Sequence, residues 1–245
     1  PSNSSAASDV YKRQVKQDGR LIPLSKADYQ CISVAIVHDD HKIMIEKNED
    51  SNQSYKTATS GLPDYPNKTY SFYWGEYGTD QTGITNYDKV DGSNDFGFLK
   101  PESGSYNGTP NLSANVTAWT SGALSDWDGK ANSNVLKGVT TGGGSYTSYA
   151  TIGHVLNTFL ASADAKGYDD WYIPSCGQLS LIYMYLISVN NALLAIGGQP
   201  LDTRYYWSSS EHSSNSGWIV LFNNGRTFTR YKRLTSSVRF VRDIE

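Results

Sequence analysis

The C-terminal part of the chain contains three motifs: YYWSSSE at 205–211, GWIVLFNNG at 217–225 and VRFVRD at 238–243. Successive side chains of a β-strand point to opposite faces. In the middle motif, Ile219 and Leu221 therefore share one face of a predicted strand, while Val220 and Phe222 share the other. All four side chains are apolar, and exposing both faces to water would be costly. The motif thus predicts a strand that buries at least one apolar pair.

A second strand is predicted after the FNNG turn. Arg226, Phe228 and Arg230 share one of its faces, and Thr227 and Thr229 share the other. Arginine and aromatic side chains are enriched at interface hot spots, which favours a ligand-contacting face. A buried Phe228 flanked by arginines that extend their charged ends to water fits the same pattern. The residues alone leave both interpretations open.

The order of these motifs resembles the C-terminal region of variable proteins from diversity-generating retroelements. The resemblance implies a C-type-lectin-like domain whose ligand-binding face is rewritten by an adenine-targeting reverse transcriptase. Phe240 departs from the family, whose members often carry Pro or Cys at this place. The elements that match are YWSSSE at 206–211, GW at 217–218, F-x-N-G at 222–225, the lone Lys232 and VR-x-VR at 238–242.

The resemblance also implies which positions vary. Family members diversify at asparagine codons, and randomising the two adenines reaches Arg, Tyr, His, Ile, Leu and Phe but never Trp, Lys, Glu, Gln or Met. Trp207, Glu211, Trp218 and Lys232 stand at the implied scaffold positions, and we expect both tryptophans to anchor the core. The implied ligand-binding positions all carry reachable residues: Arg204, Tyr205, His212, Ile219, Leu221, Arg226, Phe228, Arg230, Tyr231, Arg233 and Leu234.

Two helices are predicted upstream of these motifs. Apolar residues recur at helical spacing within residues 151–166, and Gly167 provides a C-terminal stop. Ser175 and Gln178 form a capping box for a second helix, which is predicted to run to the Gly197-Gly198 pair.

The phrase DDWYIPS at 169–175 resembles the W-x-x-P-S/T sequence that precedes the second helix of C-type-lectin-like and formylglycine-generating-enzyme-like folds. The resemblance therefore covers roughly residues 150–245. Nearer the N-terminus, CISVAIV at 31–37 and KIMIE at 42–46 predict a β-hairpin. We expect an α+β protein with a C-type-lectin-like fold, in which two helices pack on short antiparallel strands joined by long loops.

The 245 residues favour a single elaborated domain over residues 15–245, with a diversified region at about 204–237 that the resemblance implies. Residues 4–14, SSAASDVYKRQ, resemble a translated sequencing-adapter fragment. We therefore expect residues 1–14 to be a non-native leader. A disordered native tail is the alternative, since the segment is rich in Ser and Ala.

Composition argues against nucleic-acid and membrane partners. The chain has 21 basic and 24 acidic residues and a formal net charge of −3, which provides no bulk attraction to nucleic acid or anionic lipid. The longest apolar stretch, residues 179–189, is shorter than the roughly 20 residues that cross a bilayer. We expect neither nucleic-acid binding nor membrane insertion.

Catalytic and metal-binding motifs are weak in this sequence. Residues 91–102 place oxygen-bearing side chains at four positions of a calcium loop, but Phe96 stands where Gly is required. Formylglycine-generating enzymes use cysteines late in the domain, and no cysteine follows Cys176. Cys31 and Cys176 either pair or remain buried thiols. We expect no enzymatic activity, no cofactor and no metal.

The resemblance therefore implies a ligand-binding protein on a phage tail fibre or a cell surface. Its expected partner is a protein or glycan on a target cell. Many relatives form trimers, so a homotrimer or larger assembly that adds avidity is one implied arrangement. The alternative is a fixed-ligand adhesin, or a structural fibre or pilus module, with the same fold and no diversification.

Overall fold

The computed structural model describes residues 13–16, 21–23, 31–38, 41–48, 72–88 and 122–244. Within them the protein is α+β, with four helices and two small antiparallel sheets. The helices are α1 (Gly129–Leu136), α2 (Ile152–Leu160), α3 (Cys176–Met184) and α4 (Leu186–Ala195). The strands are β1 (Arg13–Lys16), β2 (Leu21–Pro23), β3 (Cys31–His38), β4 (His41–Glu46), β5 (Tyr205–Ser213), β6 (Ser216–Leu221), β7 (Arg226–Tyr231) and β8 (Val241–Asp243).

Two of the sequence predictions fall partly or wholly outside these residues. The candidate calcium loop at 91–102 is not described. Of the expected leader, residues 1–12 are not described either, whereas Arg13 and Gln14 form the first half of β1 and pair with β3.

The larger sheet has the order β2-β1-β3-β4-β8, with β1 and β2 on one side of the β3–β4 pair and the C-terminal β8 on the other. The predicted hairpin is confirmed as β3 and β4, which pair Ile36 with Ile43. On its other side β4 pairs with the C-terminal β8. Arg239, just before β8, is fully buried and donates hydrogen bonds of 2.8–3.0 Å to the backbone carbonyls of Glu46, Lys47 and Gln199.

The smaller sheet has the order β5-β6-β7 and consists of two consecutive hairpins. The predicted core role of both tryptophans is confirmed. Trp207 is fully buried and its indole N–H donates to the Phe72 carbonyl at 2.7 Å. Trp218 is 3% exposed and donates to the Tyr87 carbonyl at 3.0 Å. These two bonds attach the 72–88 segment to the sheet.

The first predicted helix is shorter than the sequence suggested. Thr151 caps α2 by accepting a hydrogen bond from the His154 N–H, but the helix ends at Leu160 rather than 166. Ser162 interrupts it, because its hydroxyl donates to the Phe159 carbonyl and accepts from the Asp164 N–H. A separate turn of 3₁₀ helix follows over Ala163–Ala165.

The second predicted helix is two helices. The capping box of Ser175 and Gln178 is present at the start of α3. At Tyr185, however, the chain bends by 77° into α4. The bend has a packing reason, since α3 lies against β5 and β6 whereas α4 lies against β3. One straight helix could not follow both sheets.

No single helix in the described part of the chain is long and apolar enough to cross a membrane, whereas the bent pair α3 and α4 together meets the length and composition of one span. Residues 176–182 of α3 are buried inside the protein. Cys31 in β3 and Cys176 in α3 are both buried thiols.

Candidate ligand-binding surface

One face of the smaller sheet carries interleaved aromatic and guanidinium groups, which we call the strand cluster: Tyr205, Arg226, Phe228 and Arg230. The Arg226 guanidinium lies over the Phe228 ring at 4.8 Å, and that of Arg230 lies over the Tyr205 ring at 4.9 Å. The Tyr205 and Phe228 rings meet edge to face at 5.8 Å. Leu221 pairs in register with both Tyr205 and Arg226, which places it on the same face.

A second group, which we call the tyrosine cluster, surrounds Arg233 in the turn after β7. The Arg233 guanidinium lies 4.9 Å from the Tyr77 ring, 5.7 Å from Tyr146 and 5.3 Å from Tyr231. It donates a hydrogen bond of 2.8 Å to the Tyr146 hydroxyl, which raises the pKa of Arg233. Tyr77 contacts Tyr146 and Tyr231 edge to face. Arg233 is itself exposed.

Phe228 joins the strand cluster to the core. Its ring is half-buried and packs against the cluster of buried residues that contains Trp207 and Ile219. The interpretation of Phe228 as a packing residue is therefore correct in part, because one side of the ring contacts the core and the Arg226 guanidinium lies over the ring. Tyr205 and Tyr231 are more exposed, at 38% and 50%.

Ile219 does not lie on this surface, and its implied place there is wrong. The side chain is fully buried, in register between Trp207 on β5 and Phe228 on β7. The physical reason is its place in the middle strand, where Ile219 and Val220 are both fully buried although they point to opposite faces. A ligand at the surface therefore has no access to Ile219.

The remaining implied positions are more dispersed. Leu234 follows the tyrosine cluster and is 42% exposed. Arg204 forms an ion pair with Asp202 just before β5. His212 lies near the far end of β5, where its ring meets Trp218 edge to face at 5.6 Å. Burial lowers the pKa of His212.

A buried ion pair holds the loop that carries Tyr77. Lys232 and Glu211 have fully buried side chains and are paired with each other. The Lys232 ammonium also donates to the Thr79 carbonyl at 2.7 Å and lies 4.7 Å from the Trp74 ring centre. Both Glu211 carboxylate oxygens accept from the Gln81 N–H at 3.1 Å. Burial raises the pKa of Glu211 and lowers that of Lys232.

Comparison with known proteins identifies no family. No family model matches the chain, and no curated protein matches it. Among solved structures, the chain is similar to a fimbrial protein from Bacteroides ovatus ATCC 8483, with 16% sequence identity and a TM-score of 0.48. The match covers 96% of this chain and 48% of that protein, so the chain spans about half the length of the structure it matches.

Sequence reasoning missed Tyr77 and Tyr146. Both lie far from the C-terminal motifs, and packing rather than sequence distance brings them to Arg233. The glycines at 142–144 were a usable indication of the turn that presents Tyr146. Gly143 has a φ of 75° and accepts from the Tyr146 N–H at 2.9 Å, a conformation that favours glycine.

The chemistry that the surface offers is stacking, hydrogen bonding and positive charge. Within the described residues, no group of three or more His, Cys, Asp or Glu side chains is placed to hold a metal ion. Burial raises the pKa of the Cys176 thiol well above its usual value, which disfavours the reactive thiolate. Three guanidinium groups and several tyrosine hydroxyls remain as the polar groups of the two clusters.

Proposed function

We propose that this protein is a non-enzymatic ligand-binding protein whose strand and tyrosine clusters contact a protein or glycan on a target cell. The observation that carries the proposal is the concentration of arginine side chains on β7 and the turn after it, where tyrosines of β5, β7 and two loops lie against them. These residue types dominate the energetics of protein interfaces. A packed sheet and a buried ion pair beneath them provide the rigid support that a binding surface needs.

We further propose that the domain is C-type-lectin-like and that its surface is diversified by a retroelement. Support comes from where the matching motifs lie: YWSSSE in β5, GW in β6, and the closing VR-x-VR leading into β8. The side chains of the implied scaffold residues Trp207, Glu211, Trp218 and Lys232 are buried, whereas most implied variable residues are at least partly exposed. Diversification of such a surface would change the partner without unfolding the core.

The proposed location is a phage tail fibre or a cell surface, with a homotrimer or larger assembly as the arrangement that adds avidity. The second candidate function is a fixed-ligand adhesin, or a fibre or pilus module, of the same fold. The two candidates share the binding surface and differ in the gene, because a fixed module needs no near-copy of its 3′ end.

The binding proposal is tested with a variant in which Tyr205, Arg230, Tyr231 and Arg233 are replaced together by Ser. Phe228 is left in place because it packs against the core. Labelled wild-type protein is screened against glycan and peptide arrays, and its hits are repeated with the variant. We expect the variant to lose the hits while its melting temperature falls only modestly, since Tyr205, Tyr231 and Arg233 are exposed and such substitutions shift stability by about 0.5 kcal/mol or less each, whereas only Arg230 is half-buried.

A matched control replaces an exposed residue elsewhere, Lys42→Gln on β4, and should keep every hit. If the four-residue variant binds the same array members with unchanged strength, these clusters are not the binding surface. A large fall in its melting temperature would instead mean that the four side chains belong to the core.

A further inference from the structure

Several arginine and lysine side chains of the described residues have a carboxylate or carbonyl partner within the fold. Arg242 is paired with Asp170 at 2.8 Å, and Arg204 is paired with Asp202. Buried Arg239 donates from Nε and Nη2 to backbone carbonyls, and buried Lys232 is bound by Glu211 and the Thr79 carbonyl. These cations outside the two clusters therefore have compensating groups within the fold.

Arg230 and Arg233 differ, because neither forms an ion pair with a carboxylate of the described residues. Arg230 stacks over Tyr205 and donates to the Thr235 carbonyl at 3.3 Å. Among the described residues, the ring contacts and the side-chain hydrogen bond of the Arg233 guanidinium are with tyrosines. In the sequence, Glu211 is the single acidic residue between 204 and 242, and it is bound to Lys232.

Stacking prepares these guanidinium groups to bind a planar anion. A guanidinium that lies over an aromatic ring keeps its in-plane N–H donors directed outward along its edge. A carboxylate can accept two such donors side by side, and this charge-assisted pair is stronger than a neutral hydrogen bond. Burial also lowers the pKa of Arg230 and the charge of Tyr205 opposes this effect, so an approaching anion would offset a further part of the desolvation cost.

We infer that the ligand presents carboxylates to Arg230 and Arg233, and that it is an acidic segment of a protein. This inference rests on the proposed function of the two clusters. A protein fits better than an acidic glycan because guanidinium groups already lie over the Tyr205 and Phe228 rings, which restricts sugar stacking on them. The exposed Tyr231 and Leu234 side chains add the apolar contacts that are typical of protein interfaces.

The test measures fluorescence anisotropy of three labelled probes with the full chain at low salt. The first probe is a short peptide of Asp, Glu, Leu and Tyr, and the second has Asn and Gln in place of the acids. The third is an oligogalacturonate, which presents carboxylates on a sugar. We expect the acidic peptide to bind about tenfold or more tightly than the amide peptide and the oligogalacturonate, and to weaken as salt rises.

Arg230→Gln and Arg233→Gln should each weaken binding of the acidic peptide, whereas Lys42→Gln should not. Arg233→Lys distinguishes charge from geometry, because lysine keeps the charge but cannot form the two parallel hydrogen bonds. We expect Arg233→Lys to bind more weakly than wild type and more tightly than Arg233→Gln.

Equal binding of the acidic and amide peptides, or no binding of the acidic peptide, would overturn the inference. Tighter binding of oligogalacturonate would overturn the choice of a protein ligand. Failure of the proposed function is a separate result, since array hits that survive in the four-residue variant would show that the ligand binds elsewhere.

Discussion

At the scale of single residues, the Lys232–Glu211 pair shows how the scaffold and the surface are connected. Both side chains are fully buried, and their partners Thr79 and Gln81 lie in the loop that carries Tyr77. The motif resemblance indicated that Lys232 and Glu211 are scaffold. It could not predict that they bind each other or that they hold a loop more than a hundred residues upstream, because no local pattern encodes those contacts.

We predict that Lys232→Met destabilises the fold by about 3–5 kcal/mol, because it leaves the Glu211 carboxylate buried without its cation. Replacing both groups, as Lys232→Met with Glu211→Gln, should cost less than the sum of the two single changes. Urea unfolding of the four proteins in this cycle measures the coupling. Additive costs would mean that the two side chains do not depend on each other.

His212 predicts a pH effect on stability. Burial lowers its pKa in the folded protein, and the charge of Asp88 opposes this effect. The folded state therefore favours neutral histidine, so the stability contribution is present above the unfolded pKa of about 6.5 and is lost as pH falls below it. The His212→Gln variant should not show this loss of stability, because glutamine does not titrate in this pH range.

We expect wild type to lose more melting temperature than His212→Gln between about pH 7.5 and about pH 5.5. Thermal unfolding of both proteins at the two pH values provides the comparison. Equal losses would show that His212 protonates as easily in the fold as in the unfolded chain.

At the scale of elements, sequence patterns predicted best where the contacts are local. The β3–β4 hairpin and the capping box of α3 follow from alternation and from a four-residue motif. Helix α1 was missed because its sequence GKANSNVL has no strong apolar face. Tertiary contacts stabilise it, since the Ser133 hydroxyl accepts from the Ile173 N–H at 2.8 Å. The bend at Tyr185 was missed because it depends on the positions of two separate sheets, and the local sequence does not encode those positions.

Because α1 and α2 approach closely, we predict that a Gly→Ala substitution in α2 destabilises the protein, contrary to the usual effect in a helix. Gly153 lies in the first turn of α2, and a Cβ there would collide with the backbone carbonyl of Leu136 at the end of α1. Gly→Ala in a helix usually stabilises by up to about 1 kcal/mol. Here we expect Gly153→Ala to destabilise by about 1–3 kcal/mol, because backbone atoms must shift.

Asn191→Ala is the matched control, since Asn191 is exposed within α4. It should be neutral or slightly stabilising in the same chemical-unfolding measurement. A stabilising effect of Gly153→Ala would contradict the close approach of the two helices.

At the scale of the whole molecule, the C-terminal β8 pairs with β4 in the larger sheet, and the strand cluster lies on the separate, smaller sheet. Strand β8 forms one edge of the larger sheet through its pairing with β4. The three arginines of the two clusters lie on β7 and in the turn after it. The sequence predicted most members of the two clusters but not their partners Tyr77 and Tyr146. It also assigned Ile219 to the ligand-binding positions although the side chain is buried, because the residues reachable from an asparagine codon carry no information about which strand is central.

The most direct test of the central claim, a binding surface that varies on a fixed scaffold, is to sequence the DNA around this gene. We expect a reverse transcriptase gene and a near-copy of the 3′ end of this gene that differs from it only opposite template adenines. The differing codons should fall at exposed positions such as Tyr205, Tyr231 and Arg233. A complete locus with neither feature would contradict diversification, and the fixed-ligand module would then be the better account.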